Sequence, residues 1–254
     1  MNKIKFTKLF SVLYTIFLIG FTSWFLLDTF VIVKRYQVVE TTSTTSNNAT
    51  TAQASTTATT TPTTYEDDNI KINLQTINEY DTQIYIADVQ VSNVEYLQSA
   101  FAENSYGRNI TEDASTMAAN HDAILAINGD YYGFVNNGFV LRNGTIYRDT
   151  TQQDNTEDLL INDDGNFEII NENDSNINEL FNNGAWQIYS FGPSLIENGQ
   201  LTVDTNSEVS SRSMKSNPRT AIGMIDELHY IFVVSDGRTD ASAGLSLYQL
   251  ASIM

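Results

Sequence analysis

The residues best suited to chemistry lie beside glycines at the ends of short apolar runs. Asn128-Gly129-Asp130 follows the apolar segment 123–128 and ends it. A carboxylate at a strand end, beside a glycine that lets a ligand approach closely, can act as a base or accept hydrogen bonds from sugar hydroxyls. Asp130 is therefore a candidate catalytic residue, and Asn128 and Gly129 are candidate substrate contacts; the alternative is that Asp130 closes a turn. Tyr131 follows, and it is a candidate for stacking on a sugar ring or for ordinary packing.

The second group carries two of the few arginines in the chain. Arg219 and Thr220 lie in an Asn-Pro-Arg-Thr segment before an apolar run, and the planar guanidinium of Arg219 can donate to two oxygens of one phosphate. Asp236-Gly237-Arg238 ends the next apolar run and offers a second cation. We assign Arg219 and Asp236 to catalysis, and Thr220, Gly237 and Arg238 to substrate binding. The alternative for both arginines is pairing with surface carboxylates.

Composition excludes several other kinds of site. The 254 residues carry a formal net charge of −18 and no cysteine, which excludes disulfides and Cys-ligated metals. The acidic balance argues against nucleic acid as a partner. Two histidines, His121 and His229, are too few for a three-histidine zinc site. A divalent cation is left open in so acidic a chain, but no residue is assigned as a metal ligand, and the acidic segment 162–168 has the spacing of a hairpin turn rather than of a calcium loop.

The N-terminal part predicts a membrane anchor. Residues 9–27 carry no charge and are long enough for a hydrocarbon core of about 30 Å. Lysines precede this segment, so we expect residues 1–8 in the cytoplasm, a transmembrane anchor over residues 9–33 and the rest of the chain outside. The alternative is a secretory signal peptide, but the sequence that follows offers no small-x-small cleavage site.

The region after the anchor divides into a linker and a domain. Residues 41–64 are dominated by threonine and have no apolar periodicity, so residues 34–64 are predicted to be a disordered stalk. Residues 65–254 are long enough for one domain. Their apolar residues alternate mostly with a period of two, and Asn-Gly or Asp-Gly turns recur at 143–144, 164–165 and 198–199.

The predicted fold class is α+β, with a mostly antiparallel sheet and a few flanking helices after one transmembrane helix. A first hairpin is expected around the turn at residues 78–81. Helices are expected within 94–102, over about 111–120 and after Ser246, where a capping box precedes an apolar face. A buried strand is expected at 123–128.

Five segments in order resemble the phosphodiester glycosidase family. They are AINGDYYGF at 126–134, VLRNGTIYR at 140–148, FGPSLIENG at 191–199, NPRTAIGMIDELHYIFVVSDGR at 217–238 and GLSLYQLASIM at 244–254. The resemblance covers roughly residue 70 to the end, and the family includes bacterial proteins described as exopolysaccharide-related. It implies hydrolysis of a glycosyl-1-phosphodiester, with a carbohydrate phosphodiester or wall glycan as the partner. The alternative is a non-catalytic glycan-binding or displayed surface domain.

The resemblance also suggests how the candidate residues divide the reaction. Arginines would neutralise the departing phosphate, and Asp130 or Asp236 would serve the oxocarbenium-like transition state as base or nucleophile. After the last helix the family continues to a further strand and an Asp-Gly-Gly-Gly-Ser-type segment. We therefore expect the domain at 65–254 to be incomplete, with part of the last helix's apolar face left uncovered.

Overall fold

The computed structural model describes residues 3–39, 58–152, 157–205 and 216–254. These residues form an α+β fold dominated by antiparallel strands, as predicted. The helices are α1 (Lys3–Phe30), α2 (Ala114–Asn120), α3 (Ile177–Asn182) and α4 (Leu247–Ile253). The strands are β1 (Lys34–Val38), β2 (Thr59–Thr60), β3 (Thr64–Glu66), β4 (Ile70–Glu79), β5 (Thr82–Val91), β6 (Ser105–Arg108), β7 (Val140–Arg142), β8 (Thr145–Arg148), β9 (Glu157–Asn162), β10 (Phe167–Asn171), β11 (Ala185–Tyr189), β12 (Ile196–Glu197), β13 (Gln200–Leu201), β14 (Arg219–Asp226) and β15 (His229–Ser235).

The larger sheet has six strands in the order β14-β15-β5-β4-β3-β2. Its central hairpin, β4–β5, turns at Tyr80 and Asp81, which both have positive φ as a tight hairpin requires. One face buries side chains from β4, β5 and β15, including Ile72 and Tyr230. The other face packs against α4.

Helix α4 packs on that second face, with a capped N-terminus and a buried apolar side. The hydroxyl of Ser246 accepts a hydrogen bond from the Gln249 amide, and the Gln249 side chain accepts one from the Ser246 amide, so the predicted capping box is present. Leu247, Leu250 and Ala251 are buried. Met254, the fourth residue of the predicted apolar face, is half-buried, and it packs with Leu250 against residues of β5 and β15.

The smaller sheet has five strands in the order β10-β9-β11-β7-β8. The turns at Asn143-Gly144 and Asp164-Gly165 close the β7–β8 and β9–β10 hairpins, and Asn198-Gly199 closes β12–β13, all as predicted. The core of this sheet contains Phe139 and Ile188. Its central strands β7, β9 and β11 carry most of the buried polar residues described below.

Helix α1 is apolar over most of its length. Its segment Leu9–Phe30 spans 22 residues with a mean hydropathy of 1.9 and is exposed along its length. Among the described residues it is the one helix long and apolar enough to cross a membrane. Membrane anchors and signal sequences share this property.

Two predicted elements are wrong. Residues 94–102 form only short 3-10 turns, at Val94–Tyr96 and Ala102–Asn104. Backbone groups between these turns bond to distant side chains instead, since the Gln187 amide donates to the carbonyl of Leu97 and Asn143 Oδ1 accepts from the Ser99 amide.

Residues 123–128 are not a strand in the structure. Leu125 and Ile127 pack against the β4, β5 and β15 face of the larger sheet, whereas Ile124 is exposed. The alternation that predicted a strand is therefore present. The segment lies over the face of a sheet, where no strand edge offers it hydrogen bonds.

The ends of the predicted stalk are also corrected. Strand β1 pairs with β6, and β2 and β3 extend the larger sheet, so residues 34–38 and 59–64 are not a free linker. Pairing with a sheet edge satisfies their backbone groups despite their polar composition. Residues 40–57 lie outside the described residues.

Candidate functional site

A cleft of about 1770 Å³ lies between the segment 123–134, strand β14 and the segment 189–199. Six of the predicted site residues line it, and three do not. Those that line it are Asn128, Gly129, Asp130, Tyr131, Arg219 and Thr220. The cleft is larger than an ordinary small-ligand pocket of roughly 300–1,000 Å³, so a ligand as long as a glycosyl phosphodiester can occupy part of it.

Asp130 forms a buried ion pair with Arg142 at the cleft. Asp130 Oδ2 accepts from Arg142 Nη2 at 2.7 Å and from the Ser190 amide at 3.1 Å, and the two side chains are 2% and 4% exposed. Asp130 Oδ1 accepts only a long contact of 3.5 Å from the Tyr132 amide. One oxygen thus holds the arginine, and the other has capacity for a further hydrogen bond.

Arg142 is fixed by the smaller sheet around it. Its Nη1 donates to the carbonyls of Leu141 and Ile188, and its guanidinium carbon lies 4.4 Å from the ring centroid of Tyr189. Burial is the largest single influence on the pKa of Arg142 and lowers it, but the Asp130 carboxylate together with Tyr189 and Tyr132 raises it by more, so the net shift is upward. Arg142 therefore stays charged and keeps Asp130 beside a permanent cation.

A second carboxyl group, Asp158 on β9, also lines the cleft. It is fully buried, and the side chains of Glu172 and Ser190 interact with its carboxyl group. Burial raises the pKa of Asp158 to about 8, and the neighbouring Glu172 adds to the rise. The oxygens of Glu172 accept from the amides of Phe139 and Gln152, which fixes that side chain. The upward shift favours the protonated form of Asp158, beside the ion-paired Asp130.

The sugar-binding candidates form two contacts across the cleft. Thr220 Oγ1 donates to Asn128 Oδ1 at 2.6 Å, which joins the start of β14 to the segment before Asp130. Tyr131 and Phe191 meet edge to face with ring centroids 5.4 Å apart, and both are exposed. An exposed aromatic pair beside polar groups can receive the apolar face of a sugar ring.

Arg219 and Arg238 are close enough for the charge of one to affect the other. Arg219 Nε donates to the carbonyl of Leu245 at 3.0 Å, and Arg238 donates to Asn217 Oδ1 from Nε at 3.1 Å and from Nη2 at 2.6 Å. Burial lowers the pKa of Arg219, and the charge of Arg238 lowers it further. Two guanidinium groups that repel each other attract an anion between them.

Asp236, Gly237 and Arg238 do not line the cleft. Asp236 is exposed, and its amide donates to the carbonyl of Gln83. A Cβ on Gly237 would lie 2.5 Å from the nitrogen of Pro218, so glycine is required for this turn to pack against the segment that carries Arg219.

Three residues of the site were not predicted from the sequence: Arg142, Asp158 and Tyr189. A usable signal existed for Asp158, because it precedes the buried Leu160 by two residues and so occupies an inward-facing strand position. Among the described residues, no group of three His, Asp or Glu side chains is arranged to hold a metal ion.

Comparison with known proteins identifies the family to which the chain belongs. Residues 121–254, more than half of the chain, match the phosphodiester glycosidase family. The chain belongs to the phosphodiester glycosidase family. The matched part of the chain includes Asp130, Arg142, Asp158 and Arg219.

Individual relatives are more distant. The SPbeta prophage-derived uncharacterized protein YomE of Bacillus subtilis (strain 168) is 25% identical over 154 residues, which cover 58% of this chain and 23% of that protein. The chain thus spans less than a quarter of that relative.

Two solved structures are similar in part. The zebrafish N-acetylglucosamine-1-phosphodiester alpha-N-acetylglucosaminidase catalytic domain, auto-inhibited by its pro-peptide, has a TM-score of 0.47 at 17% identity, covering 72% of this chain and 66% of that one. A hypothetical protein from Synechocystis has a TM-score of 0.49 at 14% identity, covering 74% of this chain and 54% of that one.

Proposed function

We propose that this chain is a membrane-anchored hydrolase of glycosyl-1-phosphodiester bonds, acting outside the cytoplasm on wall or exopolysaccharide glycans. The observation that carries the proposal is the meeting of two carboxyl groups and a guanidinium on one cleft: Asp130 in its ion pair with Arg142, Asp158 with its raised pKa, and Arg219. Family membership supplies the reaction class.

The proposed reaction breaks the bond between the anomeric carbon and the phosphate oxygen. The bonding electron pair leaves with the phosphate, and the oxygen of a water molecule forms the new bond to the anomeric carbon. One water proton completes the sugar hydroxyl, and the other is released or taken up by the phosphate monoester. A phosphate monoester is a better leaving group than an alcohol, so neutralising its charge matters more than protonating it. Arg219 is proposed for this role, with Arg238 as a second cation close to it.

The two carboxyl groups differ in a way that suits the two sides of the reaction. Asp130 is paired with Arg142 through Oδ2, and its Oδ1 can accept a proton from water or stabilise positive charge on the sugar. The raised pKa of Asp158 favours its uncharged form; because this side chain is fully buried, the lining of the cleft must move before Asp158 can donate to the phosphate or to a sugar hydroxyl. Arg142 acts through Asp130 and is a positioning residue. Asp236 has no direct part in the proposed reaction and contributes only as a member of the turn that carries Arg238.

The proposed anchor is supported by the way α1 continues into the domain. Strand β1 begins four residues after α1 ends and pairs with β6, and Val39 packs in an aromatic cluster with Phe101 and Tyr106. The chain following the apolar helix is therefore part of the folded domain. This arrangement favours retention of the helix over its removal as a signal peptide.

The proposal is tested with the full chain in detergent and a nitrophenyl diester of N-acetylglucosamine-1-phosphate or glucose-1-phosphate. We expect release of free sugar and nitrophenyl phosphate, with a loss of at least about 100-fold in turnover for Arg219→Ala, since one stabilising charge contact contributes roughly that much. Lys71→Ala removes a cation from an exposed ion pair and serves as the control. Saturable binding of the diesters without turnover would instead establish the non-catalytic glycan-binding alternative.

A further inference from the structure

The structure leaves no spacer between the apolar helix and the sheet that follows it. Strand β1 lies against β6 with Lys34 opposite Arg108 and Arg35 opposite Gly107. A Cβ on Gly107 would lie 2.0 Å from the carbonyl oxygen of Lys34, so β1 approaches β6 at a point that only glycine permits. Arg35 also forms an ion pair with Glu103.

The end of β6 contacts the last turn of α1 directly. Asn109 Nδ2 donates to the carbonyl of Thr29 at 3.2 Å and to the carbonyl of Ile32 at 3.0 Å. These carbonyls have no partners within the helix because the helix ends there. The contact fixes the domain relative to the helix end, so a bilayer around α1 would adjoin Asn109.

The loop after Asp130 lies at the same end of the domain. The Asn109 amide donates to the carbonyl of Gly133 at 3.4 Å, and Arg108 Nη1 donates to Asn136 Oδ1 at 2.6 Å. Phe134 is 59% exposed in this loop. Phe is among the side chains that proteins lying on a bilayer bury at the boundary between headgroups and acyl chains.

The cleft extends to Asn109, the residue whose side chain contacts the end of α1. Its lining includes both Asn109 and the segment 128–134. Asp130 precedes Gly133 by three residues, so their Cα atoms lie within about 11 Å of each other. That distance is comparable to the headgroup layer, which adds roughly 5–8 Å on each side of the hydrocarbon core.

We propose that the substrate is a glycosyl-1-phosphodiester whose alcohol component is a lipid of the same membrane. This inference rests on the function proposed above and on α1 spanning the membrane. The phosphate of such a lipid lies at the level of the bilayer surface, where Asn109, Phe134 and the mouth of the cleft also lie. The rigid junction of α1, β1 and β6 holds the cleft at that height, and Phe134 contacts the lipid surface. Cleavage then releases the sugar to the outside and leaves a lipid phosphate monoester in the bilayer.

The test compares two substrates with the full chain reconstituted in phosphatidylethanolamine–phosphatidylglycerol vesicles. One is the farnesyl diester of N-acetylglucosamine-1-phosphate or glucose-1-phosphate, embedded in the vesicles, and the other is the soluble methyl diester of the same sugar phosphate. We expect the embedded diester to turn over at least about 10-fold faster.

Two variants separate the membrane contribution from the chemistry. Inserting about twelve Gly and Ser residues between Val33 and Lys34 adds a flexible span of roughly 20 Å. It should remove the preference for the lipid diester and leave methyl diester turnover unchanged. Phe134→Ser should lower the ratio of lipid to methyl turnover, whereas Phe181→Ser, which removes another exposed ring on α3, should not.

The outcomes distinguish the two proposals. No turnover of either diester contradicts the proposed hydrolase itself. Turnover of the methyl diester with an equal or lower rate on the lipid diester overturns the lipid inference alone. A lipid preference that survives the linker insertion also overturns it, because the preference would then not depend on the height of the cleft above the membrane.

Discussion

Removing the carboxylate of Asp130 should destabilise the domain strongly, because it leaves the charge of Arg142 buried without a partner. The two side chains are 2% and 4% exposed and lie 2.7 Å apart. Truncating one partner of a buried ion pair costs about 3–5 kcal/mol. For a domain of this size that corresponds to a fall of roughly 6–20 °C in Tm, at about 2–4 °C per kcal/mol. The expected result for Asp130→Ala is a large fall in both the free energy of unfolding and Tm.

The measurement is urea unfolding of the full chain in detergent, followed by circular dichroism with the α1 contribution taken as constant. Glu66→Ala is the matched control, because it breaks an exposed Lys71 pair at 3.7 Å and should cost less than about 1 kcal/mol. The double variant Asp130→Ala/Arg142→Met should be more stable than the sum of the single effects, since it removes the stranded charge. Equal costs for Asp130→Ala and Glu66→Ala, or strict additivity in the double variant, would refute the buried ion pair.

Three further predictions concern other parts of the molecule. The pKa of Asp158 is about 8 in the folded state and near 3.8 in the unfolded state, so the folded state binds more protons between those values. The free energy of unfolding should therefore fall as pH rises from about 4 to 8. Asp158→Asn should flatten this slope in urea titrations, and an unchanged slope would show that Asp158 is not protonated. Ser246→Ala should lower the free energy of unfolding by about 1 kcal/mol through loss of the α4 cap, and a cost no greater than that of Ser252→Ala in the same helix would contradict the capping role. Protease added to intact cells should remove the domain while a cytoplasmic marker survives, and a domain cut only after lysis would reverse the proposed topology.

The strand framework could be predicted from the sequence because its signals are local. Asn143-Gly144 and Asn198-Gly199 turn with positive φ at both residues, which is the conformation that these residue pairs favour. The alternation around the 78–81 turn likewise depends only on neighbouring residues. Hairpins of this kind can be predicted from their own residues alone, and the structure has them at the predicted positions.

The two elements that were predicted wrongly depend on partners that are distant in the sequence. Residues 94–102 were expected to be helical, but Gln187 and Asn143 take the backbone hydrogen bonds that a helix would need. Residues 123–128 have the alternation of a strand and no strand neighbour. Neither outcome can be derived from a local pattern, because it is decided by side chains and surfaces far away in the chain.

The candidate site was predicted in part for the same reason. Asp130 stood out through its neighbouring glycine, but its partner Arg142 resembled an ordinary residue of a hairpin strand. Asp158 was one of 31 acidic residues in the chain, and only its inward-facing position separated it from surface carboxylates. The pairing of β7, β9 and β11 brings these residues together, and that pairing is a property of the assembled sheet.

The most direct test of the central claim is to follow oxygen during hydrolysis of the methyl diester of a sugar-1-phosphate in water enriched in ¹⁸O. Cleavage at the anomeric carbon, with Asp130, Asp158 and Arg219 around it, places the label in the released sugar and leaves methyl phosphate unlabelled. Mass spectrometry of both products, corrected for spontaneous exchange of the sugar hydroxyl at early times, measures this. Label in the sugar is the predicted result, and label in the phosphate would show attack at phosphorus and contradict the account.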